Sequence, residues 1–142
     1  MLFRSVEKSE NLLPFQFDAT DCPDLFPSLV VLASRIIGTS VIKGVSRLHN
    51  KESDRSNALL QEFSKLGCKI DIVDDDMIIY GGCQFRSGVV HSHHDHRIAM
   101  ALAIAGMSAK EIVIEHSDSV AKSFPDFFKI LKEAGGNVSL MN

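Results

Sequence analysis

The sequence predicts an α/β (α+β) domain made of repeated βαβαββ-type units, of which about two are present. Short β-prone segments alternate with amphipathic helices, the order expected when crossover helices connect strands. The order helix, strand, loop, helix, glycine, strand occurs twice, and Gly67 and Gly136 occupy the same place in the two copies. An apolar fraction of 45 % in 142 residues is enough for one packed core. We therefore expect repeat units at about residues 15–80 and 89–142, each too small to bury a core alone.

The first unit shows both strand and helix periodicity. Apolar and polar residues alternate at 15–18, as they do in a half-buried strand. Two amphipathic helices follow, ended by Gly38 and Gly67. Three aspartates at 74–76 between β-prone segments predict a hairpin, and the calcium-loop pattern of alternate ligands is missing around them. The predicted elements are a strand at 15–18, a helix at 24–37, a strand at 39–43, a helix at 53–66, and strands at 69–73 and 77–80.

The second unit repeats this plan from the alanine-rich segment onward. Asp95 is the predicted N-cap of its first helix. Ser123 is the predicted N-cap of its second helix, with Pro125 in the first turn and Asp126 in a position similar to that of a capping box. The predicted elements are a helix at 96–107, a strand at 111–115, a helix at 123–134 and a final strand at 137–141.

Composition excludes several classes of protein. The net charge of −3 provides no basic surface for nucleic acid and no polybasic membrane signal. The nearly apolar stretch at 98–107 is too short to span a bilayer, and the first residues lack the pattern of a signal peptide. The three cysteines are odd in number and form no CxxC pair, which favours reduced thiols. We expect a soluble cytoplasmic domain that binds neither nucleic acid nor membranes.

Cations lie at three predicted helix starts. Lys51 and Arg55 lie at the first, Arg97 beside His96 at the second, and Lys122 at the third. Each cation there is unfavourable by roughly 0.3–1 kcal/mol, because the helix dipole prefers anions at this end. An anionic ligand would reverse this balance, since Arg suits a carboxylate and Lys suits a phosphate. The alternative is that each cation is simply solvated on the surface.

Two carboxylates lie next to these cations and have two interpretations each. Glu52, between Lys51 and Arg55, is either a salt-bridge partner or a group that moves a proton beside an anion site. Asp24 either begins its helix as an acidic N-terminal residue or takes part in chemistry. Spacing alone favours the structural interpretation for Asp24.

Four histidines surround Asp95, which raises the hypothesis of a metal site. The histidines His91, His93, His94 and His96 do not have the i, i+4 spacing of HExxH, and no cysteine is near them. We therefore expect a solvated loop leading into a helix, and no metal site.

Four short motifs resemble those of the EPSP synthases, a family of enolpyruvyl transferases. Residues 51–55 (KESDR), 95–101 (DHRIAMA) and 121–128 (AKSFPDFF) are similar to three signatures of that family, and Pro23-Asp24 before a helix is similar to a fourth. They occur in family order at compatible spacing. The resemblance extends from about Phe15 to the C-terminus, and implies that residues 1–142 form a single partial domain, about two of the three repeated units of the family's second domain.

The resemblance also implies a reaction. The family transfers the enolpyruvyl group of phosphoenolpyruvate to the 5-hydroxyl of shikimate 3-phosphate and releases phosphate, by addition and then elimination, in the shikimate pathway of aromatic amino-acid biosynthesis. It needs no metal or organic cofactor. Carried over by motif, Asp24 would take the proton from the attacking hydroxyl. Glu52 would handle the proton at the methylene carbon of phosphoenolpyruvate.

The same resemblance implies binding roles for the cations. Arg55 and Arg97 would bind the carboxylate of phosphoenolpyruvate, Lys122 would bind its phosphate, and His96 would support this pocket. Lys51 would face the phosphate of the shikimate substrate. The family also uses an N-terminal domain that nothing in this sequence matches, so we expect the isolated chain to be inactive.

Two alternatives are weighed against this interpretation. One is the sibling enzyme that transfers enolpyruvate to UDP-N-acetylglucosamine, which is similar in fold but lacks this set of motifs. The other is a non-catalytic domain that binds anions.

Overall fold

Six strands and four α-helices follow one another in the computed structural model, which describes residues 11–49 and 51–141. The partial domain predicted at 1–142 and the second repeat unit predicted at 89–142 therefore include some residues outside the described ranges. Short 3-10 helices occupy Pro23–Leu25, Val45–Leu48 and Ser117–Lys122. The regular elements are β1 Gln16–Asp18, α1 Phe26–Arg35, β2 Thr39–Lys43, α2 Arg55–Lys65, β3 Lys69–Val73, β4 Asp76–Tyr80, β5 Gly88–His91, α3 His96–Gly106, β6 Ile112–Glu115 and α4 Phe127–Glu133.

The first half forms a four-stranded mixed sheet in the order β1-β2-β4-β3. β1 and β2 are parallel and α1 connects them, whereas β4 is antiparallel to both β2 and β3. The predicted hairpin is confirmed, with a tight turn in which Asp74 adopts a left-handed φ of 54°. The βαβαββ order predicted for this half is therefore confirmed.

The second half contains a parallel pair that the sequence pattern did not reveal. β5 pairs with β6 from Gly88↔Ile112 to His91↔Glu115, and α3 is the crossover between them. β5 was missed because its sequence, Gly-Val-Val-His, does not alternate apolar and polar residues. This pairing brings His91 close to the end of β6.

The end of the second unit differs from the prediction in two ways. Residues 137–141 form no strand, because a strand needs a hydrogen-bonded neighbour and none of the described strands pairs with this segment. α4 begins at Phe127 instead of residue 123, because residues 117–122 form a 3-10 helix first. Ser123 is the C-cap of that 3-10 helix instead of the N-cap of α4, with its backbone N–H donating to Val120 O at 3.2 Å, and Pro125 precedes α4 instead of lying in its first turn.

α3 is buried on two sides, which explains why it is rich in small apolar residues. Ile98 and Leu102 join the main core, which includes Phe63 of α2 and Met77 of β4. The opposite side of α3 forms a second cluster with the 3-10 helix at Ser117–Lys122 and with α4. The members of this second cluster are Ala99, Ala103, Val120, Phe127 and Leu131. One helix thus connects the two halves and holds its N-terminus at their junction.

Gly81 allows the end of β4 to pass directly against the end of α1. A Cβ at this position would overlap the carbonyl oxygens of Ala33 and Ile36. Those are backbone atoms that cannot move aside, so a side chain is excluded here.

Within the described ranges, no helix combines the length and the apolar character needed to cross a membrane. All three cysteines, Cys22, Cys68 and Cys83, are free thiols, as the sequence predicted.

Candidate active site

A cavity of about 480 Å³ lies where the starts of α2 and α3 meet the 3-10 helix before α1. Its lining is entirely ionisable and comprises Asp24, Lys51, Glu52, Arg55, His96 and Arg97. These are six of the seven site residues named from the sequence; the seventh, Lys122, is not part of the lining.

Local capping positions the two helix starts. The Asp54 carboxylate accepts a hydrogen bond from Asn57 N at 3.2 Å and caps α2, so Arg55 is the first helical residue. The Asp95 carboxylate accepts from Arg97 N at 2.9 Å and caps α3. The predicted cations at the starts of α2 and α3 are therefore confirmed.

Arg55 and Asp95 form a buried ion pair at the base of the cavity. Arg55 Nε donates to Asp95 Oδ2 at 2.6 Å, and Nη2 donates to Oδ1 at 3.3 Å. Their side chains are 2 % and 0 % exposed. Burial alone raises the pKa of Asp95, but the hydrogen bond and charge of Arg55 outweigh it and lower that pKa. Asp95 thus both caps α3 and neutralises Arg55 from the other half of the chain.

Asp24 lies at the centre of three cations. Its carboxylate accepts from Arg55 Nη1 at 2.7 Å and lies 3.3 Å from Arg97 Nη2 and 3.7 Å from Lys51 Nζ. Partial burial raises the pKa of Asp24. The Arg55 hydrogen bond and the charges of Arg97 and Lys51 lower it by more than burial raises it, so the pKa of Asp24 lies below its usual value. In this structure the Asp24 carboxylate therefore occupies the position that favours an anion.

Glu52 and His96 form a second acid–base pair in the cavity. His96 Nδ1 lies 2.9 Å from Glu52 Oε2, with His96 nearly buried and Glu52 40 % exposed. When Glu52 is ionised, Nδ1 carries the proton of this hydrogen bond. A carboxyl group that is hydrogen-bonded to an imidazole and also reaches solvent is suited to general acid–base work.

Lys122 is not at a helix start, which corrects the prediction. It ends the 3-10 helix at Ser117–Lys122, and its Nζ donates to the backbone oxygen of His94 at 2.6 Å. The helix predicted to follow it begins only at Phe127, because the 3-10 helix at Ser117–Lys122 comes first and ends at Ser123.

The histidines form more than a solvated loop. His93 Nε2 contacts the buried Glu62 carboxylate at 2.8 Å. His91 and His94 gather with His116, which the sequence analysis did not name. Burial lowers the pKa of His91, and the charges of the neighbouring imidazoles lower it as well. The Glu115 carboxylate raises this pKa, but by less, so the pKa of His91 lies below its usual value.

Two groups of side chains in the described ranges could hold a metal ion: Glu52 with Asp95 and His96, and His91 with His94 and His116. In the first group Asp95 already accepts hydrogen bonds from Arg55 and Ser53, and the cavity cations oppose a further positive charge. The second group consists of three imidazoles.

A second cavity of about 450 Å³ adjoins the first along α1 and α3. It shares Asp24 and Arg97 with the charged cavity, but its lining is mostly apolar. Leu32 and Ile104, each 42 % exposed, line this groove.

Known proteins match the chain in sequence. A sequence profile of the family EPSP synthase (3-phosphoshikimate 1-carboxyvinyltransferase) matches residues 3–131. A 3-phosphoshikimate 1-carboxyvinyltransferase of Clostridium novyi (strain NT) is 46 % identical over 120 residues, which are 84 % of this chain and 28 % of that protein. The chain therefore spans less than a third of the length of such relatives.

Solved structures match the fold. An EPSP synthase from Acinetobacter baumannii is similar with a TM-score of 0.76 at 33 % identity, over 82 % of this chain and 28 % of that one. The enolpyruvyl transferase NikO from Streptomyces tendae is similar in fold, with a TM-score of 0.71 at 19 % identity over 92 % of this chain and 30 % of that one. With the profile covering nearly the whole sequence, the chain belongs to the EPSP synthase family.

Proposed function

We propose that this chain provides the phosphoenolpyruvate-facing part of an active site that transfers the enolpyruvyl group to the 5-hydroxyl of shikimate 3-phosphate. The observation that carries the proposal is the cavity itself, in which Lys51, Arg55 and Arg97 converge on one carboxylate. Such a cluster of cations is suited to a small ligand that bears a carboxylate and a phosphate.

Ligand binding in this proposal exchanges one anion for another. Arg97 and Lys51 hold the Asp24 carboxylate at 3.3 and 3.7 Å, and these longer contacts are the ones a ligand anion would take over. Arg55 keeps its buried partner Asp95 throughout. Withdrawal of cations from Asp24 would raise its pKa and make it a better base for the attacking hydroxyl.

Glu52 takes the second proton-transfer role in the proposal. It would deliver the proton to the methylene carbon of phosphoenolpyruvate in the addition step and remove one in the elimination step. The hydrogen bond with His96 Nδ1 at 2.9 Å would orient the Glu52 carboxylate for this role.

Lys122 is proposed to bind the phosphate of phosphoenolpyruvate after leaving the His94 carbonyl. Its ammonium donates a hydrogen bond of 2.6 Å to a neutral acceptor at an exposed site. A phosphate oxygen is a stronger partner for an ammonium, because the hydrogen bond is then assisted by both charges.

Nuclear magnetic resonance tests the binding proposal on the chain as it is. Phosphoenolpyruvate at millimolar concentration is expected to shift the amides of residues 51–55 and 95–97, and Arg97→Ala should abolish the shifts. Lys69→Ala, which removes an exposed cation paired with Asp71, is the matched control and should leave them unchanged. Absence of shifts in the unaltered chain contradicts a formed half-site.

The remainder of the catalytic machinery is proposed to come from other parts of a longer protein, including an N-terminal domain. The apolar groove beside the cavity supports this, since exposed apolar surface continuous with an active site is a common contact for a further domain. We expect the 142-residue chain alone to give no enolpyruvyl transfer, because the two substrates need an enclosed site that excludes water. Turnover by the isolated chain would contradict this part of the proposal.

A cytoplasmic location belongs to the same proposal and accords with three free thiols.

A further inference from the structure

The ends of β5 and β6 bring three histidines of distant sequence position together. His91 is the last residue of β5 and pairs in register with Glu115, and His116 follows Glu115 directly. The buried Ser92 ties the two strand ends: its Oγ donates to His116 O at 2.8 Å and accepts from His94 N at 3.1 Å. The strand register and the Ser92 hydrogen bonds therefore hold the backbone of the three histidines close together.

The imidazoles of His91, His94 and His116 are mutually close. Their ring centroids are separated by 4.3 Å for His94–His116, 4.8 Å for His91–His116 and 5.5 Å for His91–His94. One ring nitrogen from each lies within 4.8 Å of the others. In a tetrahedral zinc site, bonds of about 2.0–2.1 Å place the nitrogen ligands about 3.3 Å apart. The His94 and His116 side chains are exposed, so they have room to rotate toward that spacing.

We propose that His91, His94 and His116 bind a divalent first-row transition metal ion such as Zn²⁺, with solvent completing a tetrahedral shell. Imidazole is the nitrogen ligand that Zn²⁺, Co²⁺, Ni²⁺ and Cu²⁺ share. The ion would fasten the loop that leads from β5 into α3, and it takes no part in enolpyruvyl transfer.

The charges around the cluster permit a cation there. The Glu115 carboxylate interacts electrostatically with His91 and favours positive charge. The Lys122 ammonium opposes positive charge there, but it lies against the His94 carbonyl instead of the ring.

The backbone at two of the three histidines is strained. His94 and His116 hold left-handed φ values of 55° and 54°, which cost non-glycine residues energy and are kept only where the surroundings fix them.

One hydrogen bond must change when the metal binds. His91 Nδ1 accepts from His93 N at 2.7 Å, so its Nε2 carries the ring proton. Coordination through Nε2 transfers that proton to Nδ1, and the His93 N–H must then leave it. The His93 amide is therefore a specific reporter of the event, although its side chain is not a ligand.

The test is titration of the untagged 142-residue chain with ZnCl₂ by calorimetry and with CoCl₂ by visible absorption. We expect one ion per chain and a tetrahedral Co²⁺ spectrum. The double substitution His94→Gln/His116→Gln should weaken binding by about 100-fold or more, since loss of even a supporting partner costs about 10–100-fold. The control His49→Gln removes an exposed histidine paired with Asp54 and should bind as the unaltered chain does.

If circular dichroism shows that the double variant is misfolded, chemical shifts of the unaltered chain decide the outcome. On addition of Zn²⁺ to the unaltered chain, the ring nitrogens of His91, His94 and His116 and the amide of His93 should shift together. The proposal is overturned if Zn²⁺ does not bind, or if the shifts are confined to His49 or to the Glu52–His96 pair.

Discussion

The charged cavity proposed as an active site and the histidine cluster are joined by the segment at 92–95, and they balance charge in different ways. In the cavity every cation has a carboxylate within 3.7 Å. In the cluster three imidazoles contact mainly one another. In our proposals the first site exchanges one anion for another, whereas the second offers ligands to a cation and gives up the hydrogen bond from His93 N to His91 Nδ1. The difference shows that a histidine's neighbours, more than its place in a motif, determine its chemistry.

The largest expected effect is on kcat, through the proton-transfer role proposed for Glu52. In the longer transferase proposed above, Glu52→Gln should lower kcat by about 10²–10⁴-fold, the usual contribution of a general acid–base group. The amide keeps the shape, so the affinity for phosphoenolpyruvate should change little. Glu111→Gln, an exposed carboxylate outside the cavity, is the control. Steady-state kinetics check this, and an equal loss in both variants would argue against the role of Glu52.

Next in size is the stability of the buried pair that supports the cavity. Asp95→Asn removes the charge that compensates the buried Arg55, and breaking such a pair costs about 3–5 kcal/mol in free energy of unfolding. Asp71→Asn removes the exposed partner of Lys69 at 3.5 Å and should cost about 0–1 kcal/mol. Urea denaturation measures both. Similar values for the two variants would mean that Asp24 alone is enough to compensate Arg55.

A smaller effect separates the two cations proposed to bind phosphoenolpyruvate. Arg97→Ala should weaken its binding by at least about tenfold, or 1.4 kcal/mol, because a charge-assisted bidentate contact is lost. Lys122→Ala should weaken it less in the isolated chain, since Lys122 must first leave the His94 carbonyl. Fluorescence or calorimetric titration of both variants measures the difference. A larger loss for Lys122→Ala would mean that phosphate contacts dominate the site.

The smallest expected effect is on pH dependence through Asp24. Its pKa is lowered in the folded chain, so its contribution to stability is complete above the unfolded value of about 3.9 and is lost as pH falls through the folded value. Asp24→Asn should therefore make the free energy of unfolding fall less steeply between about pH 5 and pH 3. Phosphoenolpyruvate should raise the pKa of Asp24, and carboxyl ¹³C shifts would report it. A pKa unchanged by the ligand would contradict the exchange of anions.

The sequence predicted the cavity well because its information is local. Lys51, Glu52 and Arg55 lie at or just before one helix start, which the apolar periodicity of α2 located, and Asp95, His96 and Arg97 lie at another, which the Asp95 cap located. The strands and helices of the first half were found for the same reason, since their periodicity is contained in each segment.

The remaining features depend on contacts between distant residues. His116 joins His91 only through the register of β5 and β6, which no local pattern encodes. The alternation at 137–141 looks like a strand, but a strand needs a partner. The start of α4 was misplaced because Ser123 has the chemistry of a cap while the preceding 3-10 helix takes its place. Asp95 was assigned one role and has two, because its pairing with Arg55 joins different halves of the chain.

Gly81 has a consequence for anyone who reads function from mutational scans of this chain. Every substitution there forces a Cβ into the carbonyls that end α1, so position 81 should tolerate no other residue. Its intolerance would equal or exceed that of Glu52 in a growth selection. The two are distinguishable by the amount of folded protein in the cell: variants at 81 should be depleted as protein, whereas Glu52→Gln should accumulate normally and fail only in catalysis.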